Sequence, residues 1–509
     1  MANARALSAE GLDQDFFTKD FAGVNTQAQR TAIDEKEFSW LENVMPVGYA
    51  NLRCVPAPVV VTTIEAVTIN YWKYANIGNV DFMLCFDVGG GGHALNLNTF
   101  AVTVIAVGGA FVGTVSMAQW KNERALIVAS NGYWSWDPIG GLVVLASITG
   151  APASGSTIAT YSGRVWIGIN RTITFSGPNS YQDFTTASSG GTFIVTDETL
   201  HSNINSLFTA NNFLYIAGNT SFNIISDVRL GTGTPTPTLF SNTNISALIG
   251  TTMRMAIFVY YRLVAFVTDS GFYVLNGATP QKISDKIDGV FKDVIYADQI
   301  SGGPANIFQI LCLAFLFQYD DPLRGERALL AILFNDKWFL ASQGDALTLI
   351  AGGFQGEKTA LFGTDGTNIY KLFSDPAAAI STRIQTALWP MKEPTRMKEG
   401  QKAGVEMTTA AVATSFNLSL DSDFGSIPLV INETNLGQWI NATGQLGEWI
   451  NAALQLGDWV QSGFNIFQAD AEFKGRYLGY TLSSQSPGYI VEGFLTQYQR
   501  STDWATRAQ

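Results

Sequence analysis

The feature that most constrains this chain is a hairpin-like unit that recurs along its first three quarters. In each copy an apolar segment leads into a turn of Asn, Asp or Gly, and a second, aromatic-rich segment follows. The clearest copy turns at Asn131-Gly132, a dipeptide that favours a two-residue β-hairpin loop. The full set of copies covers residues 82–92, 124–136, 165–175, 213–225, 263–275, 329–340 and 359–372.

The spacing of these turns indicates a repeated architecture. The turns fall near positions 90, 131, 170, 219, 269, 335 and 365, and most gaps are about forty to fifty residues, the period of a four-stranded propeller blade. One blade cannot bury both of its faces, so blades stack in a ring. An array of β-sandwiches would give similar spacing. We therefore predict a mainly β chain, with a β-propeller of degenerate four-stranded blades over residues 51–380.

Composition agrees with this fold class. Hydrophobic residues make up 47% of the 509 residues and charged residues 14%, which excludes a disordered acidic protein. The most apolar stretch, residues 100–118, is long enough to imitate a membrane helix. Because Gly108-Gly109 separates two β-branched segments there, we predict a β-hairpin of residues 101–107 and 110–116, and no membrane span.

Charge and cysteine content narrow the function classes. The formal net charge of −12 gives no sign of the clustered Lys and Arg of a groove-type nucleic-acid binder. Cys54, Cys85 and Cys312 lie far apart, so we expect buried thiols rather than a disulfide framework or a zinc site. Residues 1–20 mix charged and apolar positions, and we expect no signal peptide.

The pattern changes after residue 371. Residues 391–400 form a polar, charged segment with a proline before and within it, which predicts a connector. Beyond it, residues 412–420 alternate as a strand should, and residues 489–498 predict a last strand. We therefore assign residues 1–50 to an N-terminal arm and residues 381–509 to a C-terminal β domain.

The C-terminal domain contains a period-ten repeat over residues 436–461. Its three copies are Leu-Gly-Gln-Trp-Ile-Asn, Leu-Gly-Glu-Trp-Ile-Asn and Leu-Gly-Asp-Trp-Val-Gln, which place tryptophans at Trp439, Trp449 and Trp459. Positions ten apart share a face in an extended chain and not in a helix, so we predict a strand-and-turn unit or an extended loop. The tryptophans form either a hydrophobic ladder within the domain or a docking surface for another subunit.

Acidic residues dominate the same region. Residues 403–473 contain no Lys or Arg, and such a surface would repel a nucleic-acid backbone rather than bind it. That property suits a conduit through which DNA slides without sticking. The candidate channel-lining residues are Glu406, Asp421, Asp423, Glu433, Glu448, Asp458, Asp470 and Glu472.

The sequence offers little for catalysis. The two histidines, His93 and His201, have no partner motif, and no nucleophile elbow or phosphate-binding loop with its lysine is present. We therefore predict no enzymatic activity, no cofactor and no metal site. A glycosidase pair of carboxylates stays open, because separation in space is not visible in sequence.

The N-terminal segment resembles the opening of phage tail propeller proteins. The resemblance rests on Phe21-Ala-Gly-Val-Asn-Thr26, on Ile33-Asp-Glu-Lys-Glu-Phe-Ser-Trp-Leu-Glu-Asn-Val44 and on Asn51-Leu-Arg53. In that family an acidic helical turn with a Leu-x-Asn core leads to a Leu-Arg strand. This chain departs from the family at Cys54-Val-Pro56, where an Arg-x-Pro-Gly-like turn would be expected. The Trp repeat is similar to tandem Trp motifs of the same family.

The resemblance implies the tail nozzle of a short-tailed bacteriophage. A nozzle is a structural virion protein, made in the host cytoplasm, that forms an oligomeric conduit for DNA ejection below the portal and adaptor. The implied partners are further copies of the chain in a hexamer, the adaptor, tail fibres or spikes, and passing DNA without specific binding. The C-terminal domain, rather than the propeller, would then form the ring.

One alternative is a carbohydrate-binding or carbohydrate-cleaving propeller of a receptor-binding tail component. Another is an interaction scaffold unrelated to phage.

Overall fold

A computed structural model divides the chain into two compact units. It describes residues 14–18, 20–48, 51–64, 67–195, 202–276, 279–295, 300–409, 415–429, 449–450, 456–457 and 464–504. The sandwich unit comprises residues 1–57, 332–342 and 373–509, and the propeller unit comprises residues 58–331 and 343–372. Helices are few among the described residues: one α-helix, Asp288–Phe291, and three 3-10 helices, Thr186–Ser188, Arg254–Ala256 and Asp285–Ile287.

The propeller unit is a ring of seven antiparallel blades, as counted over the described residues. The first strand of each blade lies innermost, beside the central channel. From the innermost strand outward, the blades are: blade 1, Ile69–Ile77, Val80–Asp87, Gly92–Asn96 and Val102–Ala106; blade 2, Ser116–Trp120, Arg124–Ala129, Gly132–Asp137 and Gly141–Val144; blade 3, Thr157–Tyr161, Arg164–Ile169, Thr172–Phe175 and Gly191–Ile194; blade 4, Ser206–Ala210, Phe213–Ala217, Phe222–Leu230 and Thr238–Ser246; blade 5, Phe258–Tyr260, Leu263–Thr268, Gly271–Asn276 and Thr279–Lys282; blade 6, Ser301–Ile307, Ile310–Asp321 and Gly325–Phe334; blade 7, Leu349–Gln355, Lys358–Thr364, Asn368–Asp375 and Ala57–Thr63. The short strand Val294–Ile295 pairs with the second strand of blade 6.

The ring is closed by a strand from the beginning of the propeller unit. Ala57–Thr63 is the fourth strand of blade 7 and lies beside Asn368–Asp375, the last strand of the unit in sequence. The Thr63 hydroxyl donates to the Asn368 side-chain oxygen at 2.9 Å, across 305 positions of sequence. The Ile64 amide donates to the Thr367 carbonyl at 3.0 Å. Blade 7 therefore joins the two ends of the unit without a covalent bond.

Apolar side chains fill the spaces between neighbouring blades. Between blades 1 and 2, the Phe111 ring lies edge-on to Phe86 and Trp134, with centroids 5.3 and 5.0 Å apart. Between blades 5 and 6, Phe272 stacks on Phe315 at 4.3 Å. Blades 1 to 4 each have an apolar layer on both faces, so their burial depends on both neighbours, as expected for a ring of repeats.

The predicted fold class and the seven predicted hairpins are confirmed. In six blades the predicted hairpin is the pair of middle strands, as in blade 2, where Arg124–Ala129 pairs with Gly132–Asp137. Because Ala129 pairs with Gly132, the loop of that hairpin is Ser130-Asn131, one residue earlier than the predicted Asn131-Gly132. In the copy over residues 329–340, the turn residues Asn335 and Asp336 have φ of 44° and 59°. Positive φ at both central residues is the requirement of a tight type I′ hairpin turn, so turn chemistry located this hairpin correctly.

The hairpin predicted around Gly108-Gly109 is wrong. The strand Val102–Ala106 pairs backward with Gly92–Asn96, and the next strand, Ser116–Trp120, begins blade 2. The Gly109 amide donates to the Gly89 carbonyl at 2.7 Å. The glycine pair is therefore a connection between blades, which packs against the earlier turn rather than folding back on its own strand.

The sandwich unit consists of two β-sheets built from distant parts of the sequence. The strands of the first sheet, in spatial order, are Val44–Val47, Asn51–Cys54, Ile490–Trp504, Arg396–Thr408 and Phe464–Gly475, with Gln14–Thr18 also paired to Ile490–Trp504. The strands of the second sheet are Lys337–Ala341, Glu37–Glu42, Thr382–Thr386, Leu478–Ser484, Phe416–Ser422 and Gly425–Leu429, with Gly23–Val24 parallel to Glu37–Glu42.

Aromatic residues form the core between the two sheets. Tyr480 of the second sheet stacks on Phe494 of the first at 5.2 Å, and its hydroxyl donates to the Leu495 carbonyl. The buried Trp389 lies 5.9 Å from Tyr480, and its indole N–H donates to the Glu35 carbonyl at 2.8 Å. Each buried ring therefore has its polar atom paired, which is the usual condition for burying Tyr and Trp.

Two local predictions in the sandwich unit are corrected. The acidic helical turn implied for residues 33–44 is largely the strand Glu37–Glu42, because that segment pairs on one side with Gly23–Val24 and on the other with Thr382–Thr386. The predicted connector at residues 391–400 already contains the start of the strand Arg396–Thr408. The expected Leu-Arg strand is present as Asn51–Cys54. Sheet pairing overrides the local polar pattern in both corrected segments.

Candidate functional site

The central channel of the propeller unit is lined by all seven blades. Each innermost strand, or the segment directly before it, contributes three to five residues to a cavity of about 400 Å³. The lining residues of that cavity are Tyr71–Tyr74, Ser116, Ala118 and Gln119, Thr157–Thr160, Asn205–Thr209, Arg254, Met255 and Ile257–Val259, Gly302–Pro304, and Ile350–Gly352. A cavity of this size suits a small molecule. The cavity is far too small to hold a DNA duplex, whose major groove alone is about 12 Å wide and about 8.5 Å deep.

Side chains of neighbouring blades satisfy the free inner edges of these strands. Lys73 of blade 1 donates to the Met117 carbonyl of blade 2 at 2.9 Å, and the Met117 amide donates to the Tyr71 hydroxyl at 3.2 Å. In the same way the Leu207 amide donates to the Thr157 hydroxyl at 2.8 Å. An innermost strand has no neighbour on its channel side, so its backbone groups need such partners. The bonds tie adjacent blades together around the channel.

The charges in the channel have one sign. Lys73 and Arg254 line the cavity, and none of its described lining residues is Asp or Glu. The Arg254 guanidinium donates to the Val115 carbonyl at 2.6 Å and lies 4.9 Å from the centre of the Tyr71 ring. Burial lowers the pKa of Arg254, yet arginine stays charged in proteins. A chain with net charge −12 thus places two cations in its central cavity.

A second cavity of about 410 Å³ lies at the end of the channel where the innermost strands begin. Its lining includes Thr68, Asn70, Thr252 and Thr348, and Arg254 and Met255 line both this cavity and the first. Arg254 therefore stands where the two cavities meet. Sequence reasoning missed both cations. The available signal was Lys73 itself, a single charge within the otherwise uncharged strand Ile69–Ile77.

Part of the segments that carry the phage-tail resemblance, including Phe21, Phe38 and Asn43, is buried in the sandwich unit. Asn43, 1% exposed, uses both ends of its amide: it donates to the Ser381 carbonyl at 2.8 Å and accepts from the Ser342 amide at 2.9 Å. Phe21 packs against Phe38 at 5.6 Å. These positions hold three segments of the unit together, which is a structural role.

The acidic channel-lining candidates have different surroundings. Asp421 is buried and pairs with Arg30 at 2.7 Å, and Asp423 pairs with Arg476 at 2.8 Å. Glu406 is 9% exposed within the strand Arg396–Thr408, whereas Asp470 and Glu472 are exposed on the strand Phe464–Gly475. Glu433, Glu448 and Asp458 lie outside the described residues. The structure brings no large group of these carboxylates together within the described part of the unit, and their role in lining an oligomeric channel stays a prediction.

The tryptophan candidates can be placed only in part. Trp439 and Trp459 lie outside the described residues. The backbone of Trp449–Ile450 pairs antiparallel with Leu456–Gly457, so the second copy of the repeat faces the start of the third. This pairing agrees with the predicted strand-and-turn unit. The proposed docking role of the three tryptophans stays a prediction.

Other chemical groups have structural surroundings. Cys54, Cys85 and Cys312 are free and buried, as predicted, and burial raises the pKa of the Cys54 thiol to about 11. Over the described ranges, no three His, Cys, Asp or Glu side chains are grouped closely enough to hold a metal ion. No helix in the described part of the chain is long and apolar enough to cross a membrane.

Comparison with known proteins finds similarity among solved structures alone. No protein-family model and no curated protein matches this sequence. Among solved structures, the chain is similar to the extracellular domain of a proposed hybrid two-component system from B. thetaiotaomicron, at 12% identity and a TM-score of 0.38. The extracellular domain of a proposed one-component system from the same organism matches at 11% identity and a TM-score of 0.39. Each match covers 64% of this chain, and this chain spans 41% of the length of either structure.

Proposed function

We propose that this chain is a structural subunit of a short-tailed phage tail, and specifically the nozzle through which DNA is ejected. On this proposal several copies, six as the family resemblance implies, form a ring below the portal and adaptor. Tail fibres or spikes attach to the same ring, and the assembled protein resides in the virion tail. The chain supplies architecture and no catalysis.

The observation that carries the proposal is the role of the residues that resemble phage tail proteins. Asn43 is buried in the left-handed region, with φ 58°, and bonds to two other segments of the sandwich unit through its amide. Arg30, between the two resemblance segments, donates to the carbonyls of Thr386 and Tyr480. The resemblance therefore falls on residues that define how a whole unit is built, and not on an isolated surface loop.

The size of the propeller channel adds a constraint to this proposal. A cavity of about 400 Å³, lined by the seven innermost strands, is too small to pass a DNA duplex. A conduit would therefore run along the axis of a ring of several chains rather than through each propeller. The exposed carboxylates Asp470 and Glu472 are candidates for facing that axis, because negative charge would keep DNA from binding.

Imaging of the purified chain, alone and mixed with a portal–adaptor complex, tests the proposal. Sixfold rings with an open axial hole, seated on the adaptor, would support it. Single two-unit particles that never join the complex would count against it. A variant with Trp439, Trp449 and Trp459 changed to Ala should lose docking to its neighbours if the repeat forms an interface. Tyr261→Ala, which removes an aromatic side chain 71% exposed on the propeller unit, is the matched control and should assemble normally.

A second candidate function is carbohydrate binding by the propeller. The observation in its favour is the cavity at the channel end, where Asn70, Thr68, Thr252 and Arg254 offer hydrogen-bonding groups. A glycan screen with host polysaccharides checks this function. Saturable binding that is lost in Asn70→Ala would favour it over the conduit, whereas no binding to any polysaccharide would remove it.

A further inference from the structure

We propose that the junction of the two propeller cavities binds a small oxyanion, a phosphate or carboxylate group, between Arg254 and Lys73. The proposal concerns the propeller unit alone and does not depend on assembly of a tail. It starts from the sign of the charges: two cations and no carboxylate among the described lining residues, in a chain whose net charge is −12.

The two cations are anchored close together. Arg254 donates to the carbonyl of Val115 and Lys73 to the carbonyl of Met117, the two residues that flank Ser116. Carbonyls two residues apart in extended chain lie about 7 Å apart, at roughly 3.3 Å per residue. An oxyanion between the two cations would thus be within reach of both.

Arg254 has hydrogen-bonding capacity left over. A guanidinium has five N–H groups in a planar fork that matches the oxygens of a phosphate or carboxylate. Within the described residues it donates one hydrogen bond, to Val115, and its remaining contact is with the face of the Tyr71 ring. Ser116 lines the same cavity, and its hydroxyl group is a further potential donor to the same anion.

The energetic reason for an anion here is the cost of partly burying the cation. Removing a charge from water is unfavourable unless a partner of opposite charge offsets it. Burial already lowers the pKa of Arg254. The carbonyl of Val115 and the ring of Tyr71 compensate only in part, since neither carries a full negative charge. A bound oxyanion would supply that charge and would use the N–H groups that face the cavity.

Titration calorimetry with two probes tests the site in the full chain. The probes are inorganic phosphate and sodium glucuronate, each compared with sodium chloride at the same ionic strength. We expect saturable, one-to-one heat for at least one probe and none for chloride. Phosphate alone would identify a phosphate site, and glucuronate would identify a carboxylate site, such as that of an acidic sugar. No saturable heat with either probe would overturn the proposal.

Variants locate the binding. Arg254→Met should raise the dissociation constant at least tenfold, and Lys73→Met should raise it severalfold, because each variant removes one cation. Arg229→Met is the matched control, since Arg229 is 65% exposed beside Asp227, and it should bind as wild type does. If Arg254→Met fails to fold, Arg254→Lys and Ser116→Ala replace it, and each should weaken binding while the circular dichroism stays native. Unchanged affinity in all folded channel variants would overturn the assignment.

Discussion

The two units of this chain both have β-rich cores, but they differ in how far apart in sequence their paired strands lie. In the propeller unit, strands pair with the strands next to them in sequence, and one pairing, Ala57–Thr63 with blade 7, spans the whole unit. In the sandwich unit, Asn51–Cys54 pairs with Ile490–Trp504, and Glu37–Glu42 pairs with Thr382–Thr386. Long-range pairings require a large loss of chain entropy before any contact forms. The sandwich unit should therefore depend more strongly on a few specific buried bonds.

One cation from each unit shows a second contrast. In the sandwich unit, Arg30 has a carboxylate partner, Asp421, and both side chains are mostly buried, 18% and 8% exposed. In the propeller channel, Arg254 has a carbonyl and an aromatic ring. A cation with its own carboxylate is part of the structure, whereas a cation that faces a cavity without one is available to a ligand.

The largest expected effect comes from breaking the long-range pair in the sandwich unit. Arg30→Met leaves Asp421 buried without its cation and removes the donor from the carbonyls of Thr386 and Tyr480. We expect the free energy of unfolding to fall by about 3–5 kcal/mol, measured by urea unfolding.

The control for this variant is Arg229→Met in the propeller unit, which breaks an exposed pair with Asp227 at 3.4 Å. It should cost at most about 1 kcal/mol. Equal effects of the two variants would show that the Arg30–Asp421 pair is solvated in solution, and the contrast between the units would then be lost.

The next effect separates backbone from side chain at Asn43. Asn43→Gly keeps the left-handed backbone and removes both amide bonds, so the Ser381 carbonyl and the Ser342 amide lose their partner. We expect a loss of about 2–3 kcal/mol in the free energy of unfolding. Asn43→Ala should cost about 1 kcal/mol more, because Ala resists a positive φ. If Asn43→Ala lowered the free energy of unfolding less than Asn43→Gly, the left-handed backbone conformation at Asn43 would be contradicted.

A matched pair of glycines probes the local connections of the propeller unit. Gly90 and Gly109 have similar φ, 78° and 83°, but a Cβ on Gly90 would lie 2.3 Å from the Phe111 carbonyl oxygen, whereas one on Gly109 meets nothing within 4 Å. Gly109→Ala should cost about 1 kcal/mol from backbone strain alone. Gly90→Ala should cost about 1–3 kcal/mol more from the clash. Thermal unfolding of both variants checks the order, and equal costs would contradict the packing of the two glycine segments.

The smallest effect is a pH dependence in the sandwich unit. Lys398, 1% exposed, donates to three carbonyls, and burial lowers its pKa to about 8. In the unfolded chain its pKa is near 10.4. Between these values the unfolded state binds more protons, so stability rises with pH. From pH 7.5 to 9.5, the wild type should gain about 1–2 kcal/mol in unfolding free energy relative to Lys398→Met. The difference between the two proteins cancels the titration of thiols and tyrosines. A difference that stays flat or falls would show that Lys398 is not buried.

The sequence predicts the parts of this fold that depend on neighbours along the chain. A turn such as Asn335-Asp336 fixes its own hairpin, because positive φ at both central residues is a local property of those two residues. The same reasoning failed at Gly108-Gly109, since a glycine pair also serves a connection between blades. The connector predicted over residues 391–400 was wrong for a related reason: Lys398 is buried there in a strand, and its three carbonyl partners include Arg476, far away in sequence. The channel cations belong to this second class: Arg254 reaches Val115 across 139 positions, and no local pattern encodes that contact.

The closure of blade 7 has a consequence for synthesis of the chain. Thr63 leaves the ribosome 305 residues before its partner Asn368. At translation rates of about 5–20 residues per second, that strand waits roughly 15 to 60 s for the edge it completes. During this time its valines, Val59 and Val60 among them, have no sheet to join. The nascent propeller is therefore an open arc with two unpaired strand edges. A chaperone that covers the early strand would raise the yield of closed propellers.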